Sequence, residues 1–392
     1  MAGLHRYGLG YVAACGGLAL LLVVGSALMP QTASQSGAAI PPERVVAQVQ
    51  VAGGAYSDAL RAAMADHRAA PGDLVRAQTA ARALIDEGRN RGDSRLVGAA
   101  VGILRPFLTE PTALTLYLAA TARQYQHDFP GALGLLDRAL ALSPADINTR
   151  LSRATILTVR GDFAAARADC DRITGEGRPD VGFLCQATTE VLTANGPGYA
   201  ARLQQILATP GMLDPGLHGW AAGLVAEVAL HQGDLDLARS QLQDVLVQNP
   251  LAQREQGMLA DILLGKGQAQ AALDVLATAP DTDGVLIRRV LALRALGDTA
   301  TAADLIATLD RRITLNLDLG LTAHAREEAM YFLVIANDPE QALSRALVNW
   351  SLQHEIEDAT LLLQAAAATD QPQAAQPVRD WMALNGVLPA KK

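Results

Sequence analysis

An all-α solenoid of repeated helix pairs is what this sequence predicts, on three observations. Hydrophobic residues make up 50% of the 392-residue chain but aromatics only 4%, so Ala and Leu, both strong helix formers, carry the apolar load. Few stretches show the Val/Ile/Thr/Tyr alternation that strands require. Small residues also recur at a fixed spacing: Ala132 and Ala166 are 34 residues apart, as are Ala238 and Ala272. The formal charge of −8 lacks the basic footprint of a nucleic-acid binder.

From the N-terminus, residues Tyr7 to Met29 contain no charged side chain, and this run exceeds the roughly 20 residues that a bilayer span needs. His5 and Arg6 precede it, and residues 30–42 carry no Lys or Arg. The positive-inside rule then holds the short N-terminus in the cytoplasm and sends the remainder across. The expectation is a signal anchor or a cleaved signal peptide over residues 1–30. The chain would then be anchored in a bacterial inner membrane through residues 7–29 with its solenoid in the periplasm, or be secreted to the periplasm. Val12-Ala13-Ala14-Cys15 resembles a lipoprotein cleavage box, but the apolar run continues past the cysteine, against the usual order of signal regions.

Residues 31–73 read as a flexible tether of Gln, Ser, Gly, Ala and Pro, holding a short helix from Ser57 to Arg68 that Pro71-Gly72 stops. From Leu74 to Leu388 the chain repeats. His127-Asp128-Phe129 precedes Ala132 and Gly161-Asp162-Phe163 precedes Ala166. Gly233 and Gly267 mark the turns before Ala238 and Ala272, and Pro144 and Pro250 close their units. A helix–turn–helix period of 34 residues is the tetratricopeptide signature, and the chain resembles that family. The small first-helix position is Ala120, Ala154, Ala226 and Ala260. The second-helix Ala is Ala132, Ala166, Ala238, Ala272, Ala302, Ala342 and Ala375. The bulky position four residues on is Leu136, Cys170, Leu242, Leu276 and Ile306. The resemblance implies a right-handed superhelix of about nine helix pairs whose concave groove, lined by first helices, binds another protein or peptide.

The pattern also departs from the family. Its Trp-Leu-Gly element is largely absent, and Val290, Met330 and Leu363 replace the small first-helix residue. Spacing slips to 30 residues between Gly267 and Gly297 and to 40 between Ala302 and Ala342. The stretch from Val181 to His218, with Asn195-Gly196-Pro197-Gly198 and Pro210-Gly211, is a degenerate unit.

No catalytic constellation emerges. Gly265-Lys266-Gly267 lacks the rest of a phosphate loop, there is no Gly-x-Ser-x-Gly elbow, and no His pair has metal-ligand spacing on one helix face. No metal or cofactor is expected, and the chain is not read as an enzyme. Cys170 and Cys185 fall on helices that touch in a repeat stack, so they form either a disulfide or two buried thiols.

Helical register places Tyr117, Thr121, Gln124, Thr155, Thr158, Trp220, Glu227, Arg254, Asp261, Arg294, Glu327 and Tyr331 towards the groove. Trp220 and Tyr331, taken singly, are read rather as filling gaps between repeats, since aromatics are mostly core or half-core. The Lys/Asn/Lys clamp with which some family members grip acidic chaperone tails has no counterpart: the matching positions are Tyr117, Thr121 and Tyr125, then Gly223, Glu227 and His231. The functional expectation is a protein–protein interaction scaffold of the bacterial cell envelope. The alternative is a non-catalytic accessory or assembly subunit of an envelope enzyme or export complex, for example one for polysaccharide synthesis.

Overall fold

A computed structural model describes residues 56–388. Its first helix is α1 (Asp58–Ala69), and nine helix pairs follow it among the described residues. These are α2 (Leu74–Arg91) with α3 (Ser94–Leu104), α4 (Ala113–Tyr125) with α5 (Phe129–Leu142), and α6 (Ile147–Val159) with α7 (Phe163–Gly175). Next come α8 (Pro179–Glu190) with α9 (Gly196–Leu207), α10 (Pro215–Gln232) with α11 (Leu235–Gln248), and α12 (Gln253–Gly265) with α13 (Ala269–Leu276). The array ends in α14 (Asp283–Leu296) with α15 (Thr299–Asp318), α16 (Ala325–Val334) with α17 (Pro339–Leu352), and α18 (Ile356–Ala368) with α19 (Gln376–Asn385). This is an all-α, tetratricopeptide-like helical repeat. Among the described residues α1 falls where a short helix was expected, and its Leu60 and Ala63 are buried in packing against α2.

One local device makes most of the turns within pairs. The residue after the first helix takes a left-handed backbone, and an Asp follows it as N-cap of the second helix. Gly161, Gly233 and Gly297 have φ of 78°, 80° and 80°. Asp162, Asp234 and Asp298 then accept from the backbone N–H three residues on. His127 (φ 58°) and Asn337 (φ 55°) adopt the same conformation without being glycine, ahead of the caps Asp128 and Asp338. Left-handed residues terminate helices and short acidic side chains start them, so each turn is specified by two adjacent residues.

The repeated alanines sit where the helices of a pair cross. Ala132, Ala166, Ala238, Ala272 and Ala342 are 0% exposed, and Ala120, Ala154, Ala226 and Ala260 on the first helices reach no more than 2%. Leu136, Leu242, Leu276 and the half-cystine Cys170 fill the space beside them. Between pairs the core is continuous but locally built, which makes stability a sum over neighbours. Charged side chains brace several pairs: Asp169 on α7 is buried between Arg153 and Arg150 of α6, and Glu328 on α16 is buried against Arg345 of α17. The unit expected to be degenerate is α8 with α9 and the start of α10. Cys170 and Cys185 are joined by a disulfide from α7 to α8, with a Cα–Cα distance of 5.4 Å, so it ties that unit to the pair before it.

The expectations of inner-membrane anchoring and periplasmic location need correction. Among the described residues no helix is long and apolar enough to cross a membrane. The Tyr7–Met29 run on which both expectations rested lies outside the described residues, as does Cys15. Neither the membrane partner nor the localisation is carried further.

Two substitutions probe this packing. Ala272→Leu should overpack the crossing of α12 and α13 and cost about 1–3 kcal/mol, read as a lower midpoint in urea unfolding. An unchanged midpoint would place Ala272 outside the crossing. Replacing Cys170 and Cys185 together by Ser should cost about 3 kcal/mol, from a closed loop of 15 residues. The unfolding transition should also broaden as α8 and α9 uncouple from their neighbours.

Candidate functional site

Successive first helices pack directly on one another, α12 on α14, α14 on α16 and α16 on α18, whereas no comparable packing joins successive second helices. The first helices therefore line the inner, shorter radius. On this face the charges of five of them converge. Arg254 at the start of α12 pairs with Glu227 of α10 and reaches Glu357 of α18 at 3.7 Å, past the two first helices between. Arg288 of α14 makes a two-pronged pair with Asp261 of α12, at 2.8 and 2.7 Å, and lies within electrostatic reach of Glu327 and Glu357. Arg326 of α16 pairs with Glu355 and, through two bonds, with Asp358.

The environment of these groups is uneven. Arg254 and Glu357 each keep 46% of their side-chain surface open, yet both are ringed by charge. Confinement on the inner face pushes the Glu227 carboxyl up, against the pull of Arg254. Burial also opposes ionisation of Glu355, but there Arg326 and Arg254 outweigh it and the carboxyl falls below its usual range. Asp358 is fully enclosed and accepts from Arg326, from Asn349 Nδ2 at 2.6 Å and from the Glu355 backbone N–H at 2.8 Å. Burial, reinforced by the Glu355 charge, still pushes its carboxyl up to about 6. Acids outnumber bases here: Glu227, Asp261, Glu327, Glu355, Glu357 and Asp358 face Arg254, Arg288 and Arg326.

The inner face is closed along one edge, because the array winds far enough for its later part to lie against its earlier part. The Arg160 carbonyl contacts His354 Nδ1 at 2.8 Å, 194 residues on. The His354 N–H donates to the Val159 carbonyl at 2.6 Å, and Arg160 Nη1 donates to the Leu352 carbonyl, 192 residues away. Earlier in the chain, Gln253 Nε2 donates to the Arg89 carbonyl at 2.9 Å, and a Cβ on Gly92 would come within 2.7 Å of Thr282 Cγ2. Between these points His127 lies within reach of the charges of Glu327, Arg326 and His324. Near the C-terminus the Leu388 N–H donates to the Leu192 carbonyl at 3.1 Å, and Thr193 and Val387 form an antiparallel bridge. Each of these junctions sets a turn between or beside early helices against a segment roughly 160–200 residues later, close to five or six periods of about 34 residues.

Of the groove residues expected from sequence, Glu227, Arg254, Asp261 and Glu327 fall in the converging charge cluster. Thr158 is half-buried and shares a hydrogen bond with Thr189 at 3.2 Å. Thr121 and Thr155 each turn the hydroxyl back to a carbonyl four residues earlier, and Gln124 is half-buried. Trp220 packs between repeats and donates to Thr188 Oγ1 at 3.0 Å, and Tyr117 packs against the α2–α5 core. Arg294 donates to the Ile335 carbonyl. Tyr331 is buried in a hydrophobic cluster with its hydroxyl on Asp310, the gap-filling place that the sequence also allowed it. Sequence reasoning missed Arg288, Arg326, Glu355, Glu357 and Asp358; α14, which carries Arg288, is scarcely amphipathic, so its pattern offered no signal. Among the described residues no group of three or more His, Cys, Asp or Glu is placed to hold a metal ion.

No family model matches the chain, and no curated protein matches it. Among solved structures the chain is similar to a tetratricopeptide repeat protein from Parabacteroides merdae, at 14% identity over 73% of this chain and 98% of that one, with a TM-score of 0.36. It is also similar to the Cut9–Hcn1 hetero-tetramer of APC/C, at 12% identity over 83% and 68% of the two chains and a TM-score of 0.40. A third likeness is to yeast Tom70, at 14% identity over 77% and 68% and a TM-score of 0.25. At such distances nothing about those proteins' partners transfers to this chain.

Asp358 offers a pH test of the cluster. A carboxyl raised by folding from 3.8 to about 6 contributes stability that is full below 3.8 and is lost as pH rises through about 6. Asp358→Asn removes that titration. The variant should therefore melt higher relative to wild type at about pH 7 than at about pH 4; a difference independent of pH would mean that Asp358 is not raised.

Proposed function

We propose that this chain is a protein-binding scaffold that holds an extended segment of a partner protein on its inner face. The observation that carries the reading is the convergence of charged side chains from α10, α12, α14, α16 and α18 on one surface, with Arg254 and Glu357 still half open to solvent. Solvent-facing charges at the ends of separate repeats can be read by a ligand one repeat at a time. The acidic excess of the cluster selects a partner segment of net positive charge, since opposite potentials steer association and like charges exclude competitors. Arg254 sits at the centre of the cluster, and arginines with aromatic residues are the commonest hot spots of interfaces. The alternative of an accessory or assembly subunit in an envelope enzyme or export complex draws no support from any described residue.

The test is site-specific photocrosslinking in the native cell. A photoreactive residue at Asp261, on the inner face, should give one defined protein adduct. The same residue at Val247, which is 83% exposed on a second helix, should give none. Glu357→Arg should weaken the captured partner's affinity for the purified scaffold by about tenfold, or about 1.4 kcal/mol. Adducts of equal yield at both positions, or none at Asp261, would refute the inner-face reading.

A further inference from the structure

The junctions between early and late parts of the array share a feature that the repeat itself does not require: each is made outside the stack of neighbouring helix pairs. The last of them is the most concentrated. Trp381 of α19 packs edge-on to Phe163 at 5.8 Å and to Trp350 at 5.4 Å, and it stacks on His354. A Cβ at Gly161 would collide with its Nε1, so the early turn is shaped to admit the indole. Val387 and Leu388 then add a two-residue pairing to Leu192 and Thr193. One apolar cluster unites Phe163, Val191, Leu192 and Val228 of the early pairs with Trp350, Leu362, Val378, Trp381 and Val387 of the late ones. The Gly92–Thr282 and Gln253–Arg89 junctions, by contrast, rest on a close approach and on one exposed side-chain amide.

We propose that α19 and the segment Gly386–Leu388 form a clasp that locks the late part of the array onto the early part, and that its release opens the inner face along one edge. Neighbouring pairs hold one another through large continuous cores, but the edge-to-edge junctions are few and separate. Removing the strongest one leaves the helix pairs intact while lowering the cost of parting the edge. A solenoid is flexible in that mode, because a small change in the rotation between pairs accumulates along the array. With the clasp shut, a partner segment threads in from an end of the coil. With the clasp released, it enters from the side. The regulatory consequence rests on the inner-face reading above; the clasp itself does not.

Two variants of the full chain test it, with helix content followed by circular dichroism. One ends at Asn385 and removes the pairing of Val387 and Leu388. The other, Leu388→Pro, deletes the N–H that donates to Leu192 along with a side chain that is 43% exposed, restrains the backbone at Val387 and residue 388, and leaves α19 in place. Leu384→Ala, on the 85% exposed side of α19, is the control. In solution scattering the largest dimension should increase for both clasp variants and not for the control. Amide exchange at His354, whose N–H is donated across the junction to Val159, should accelerate about tenfold in both, while the amide of Ala272 stays protected. Scattering that superimposes on wild type, or faster exchange confined to residues 376–388, would overturn the proposal. Crosslinking at Asp261 provides the separate readout. A shut-to-open change in scattering without any adduct in wild type or variant would refute the partner reading and leave the clasp standing.

Discussion

Everything in this fold depends on how closely two helices of a pair can cross. A Cβ-only side chain at Ala132, Ala166, Ala238, Ala272 and Ala342, met by another on most of the first helices, lets the two backbones approach until the neighbouring Leu136, Leu242 and Leu276 are sealed. The separation fixes which ridges and grooves engage, and through them the crossing angle. The same angle, repeated nine times, becomes curvature. Where Val290 takes the place of the small first-helix residue it is as fully buried as the alanines, so the late pairs use a larger residue at that crossing. Their second helix α15 is also the longest of the array, at 20 residues.

Curvature in turn decides where charge collects. First helices on the inner radius lie side by side, so residues separated by one or more repeats come within ion-pairing distance, as Arg254 and Glu357 do. Such pairs in open solvent contribute little to stability. Enclosed ones are different in kind. Asp169, Glu328 and Asp358 each lose their water and are paired with arginines, Glu328 through one oxygen only, and replacing one partner alone would strand a buried charge. Asp358 carries a second duty, since its side chain and that of Glu355 cap the start of α18 reciprocally. The inner face thus combines an enclosed layer at Arg326–Asp358 with a half-open one at Arg254, Asp261 and Glu357.

The edge junctions follow a different logic from the pairs. Within a pair, contacts are short-range in sequence and recur. Across the edge they join residues up to 220 apart, Gly161 and Trp381, and each is chemically distinct: a glycine cradle for Trp381, a backbone carbonyl for His354, a bridge for Val387. His127 and Gly161 both supply the left-handed turn that closes their own pair; the Gly161 turn is also the surface against which Trp381 and His354 of the late part lie.

What the sequence by itself determined is local. The helix pairs, the left-handed turn residue followed by Asp, and the buried alanines are legible because each is encoded within a few neighbouring residues and repeats with the 34-residue period. The register that follows from them carries Glu227, Arg254, Asp261 and Glu327 to the inner face. It does not separate inner-face residues from those that fill the gaps between helices, because both occupy one side of the same helix; hence Trp220 and Tyr331 fit the groove register and yet pack between helices. The meeting of Arg254 with Glu357, of Gly161 with Trp381 and of Leu192 with Leu388 was decided only by the tertiary structure. Those contacts depend on the rotation between successive pairs summed over five or more of them. No short stretch of sequence encodes that sum, because a few degrees at each crossing moves the late part of the array onto the early part or away from it.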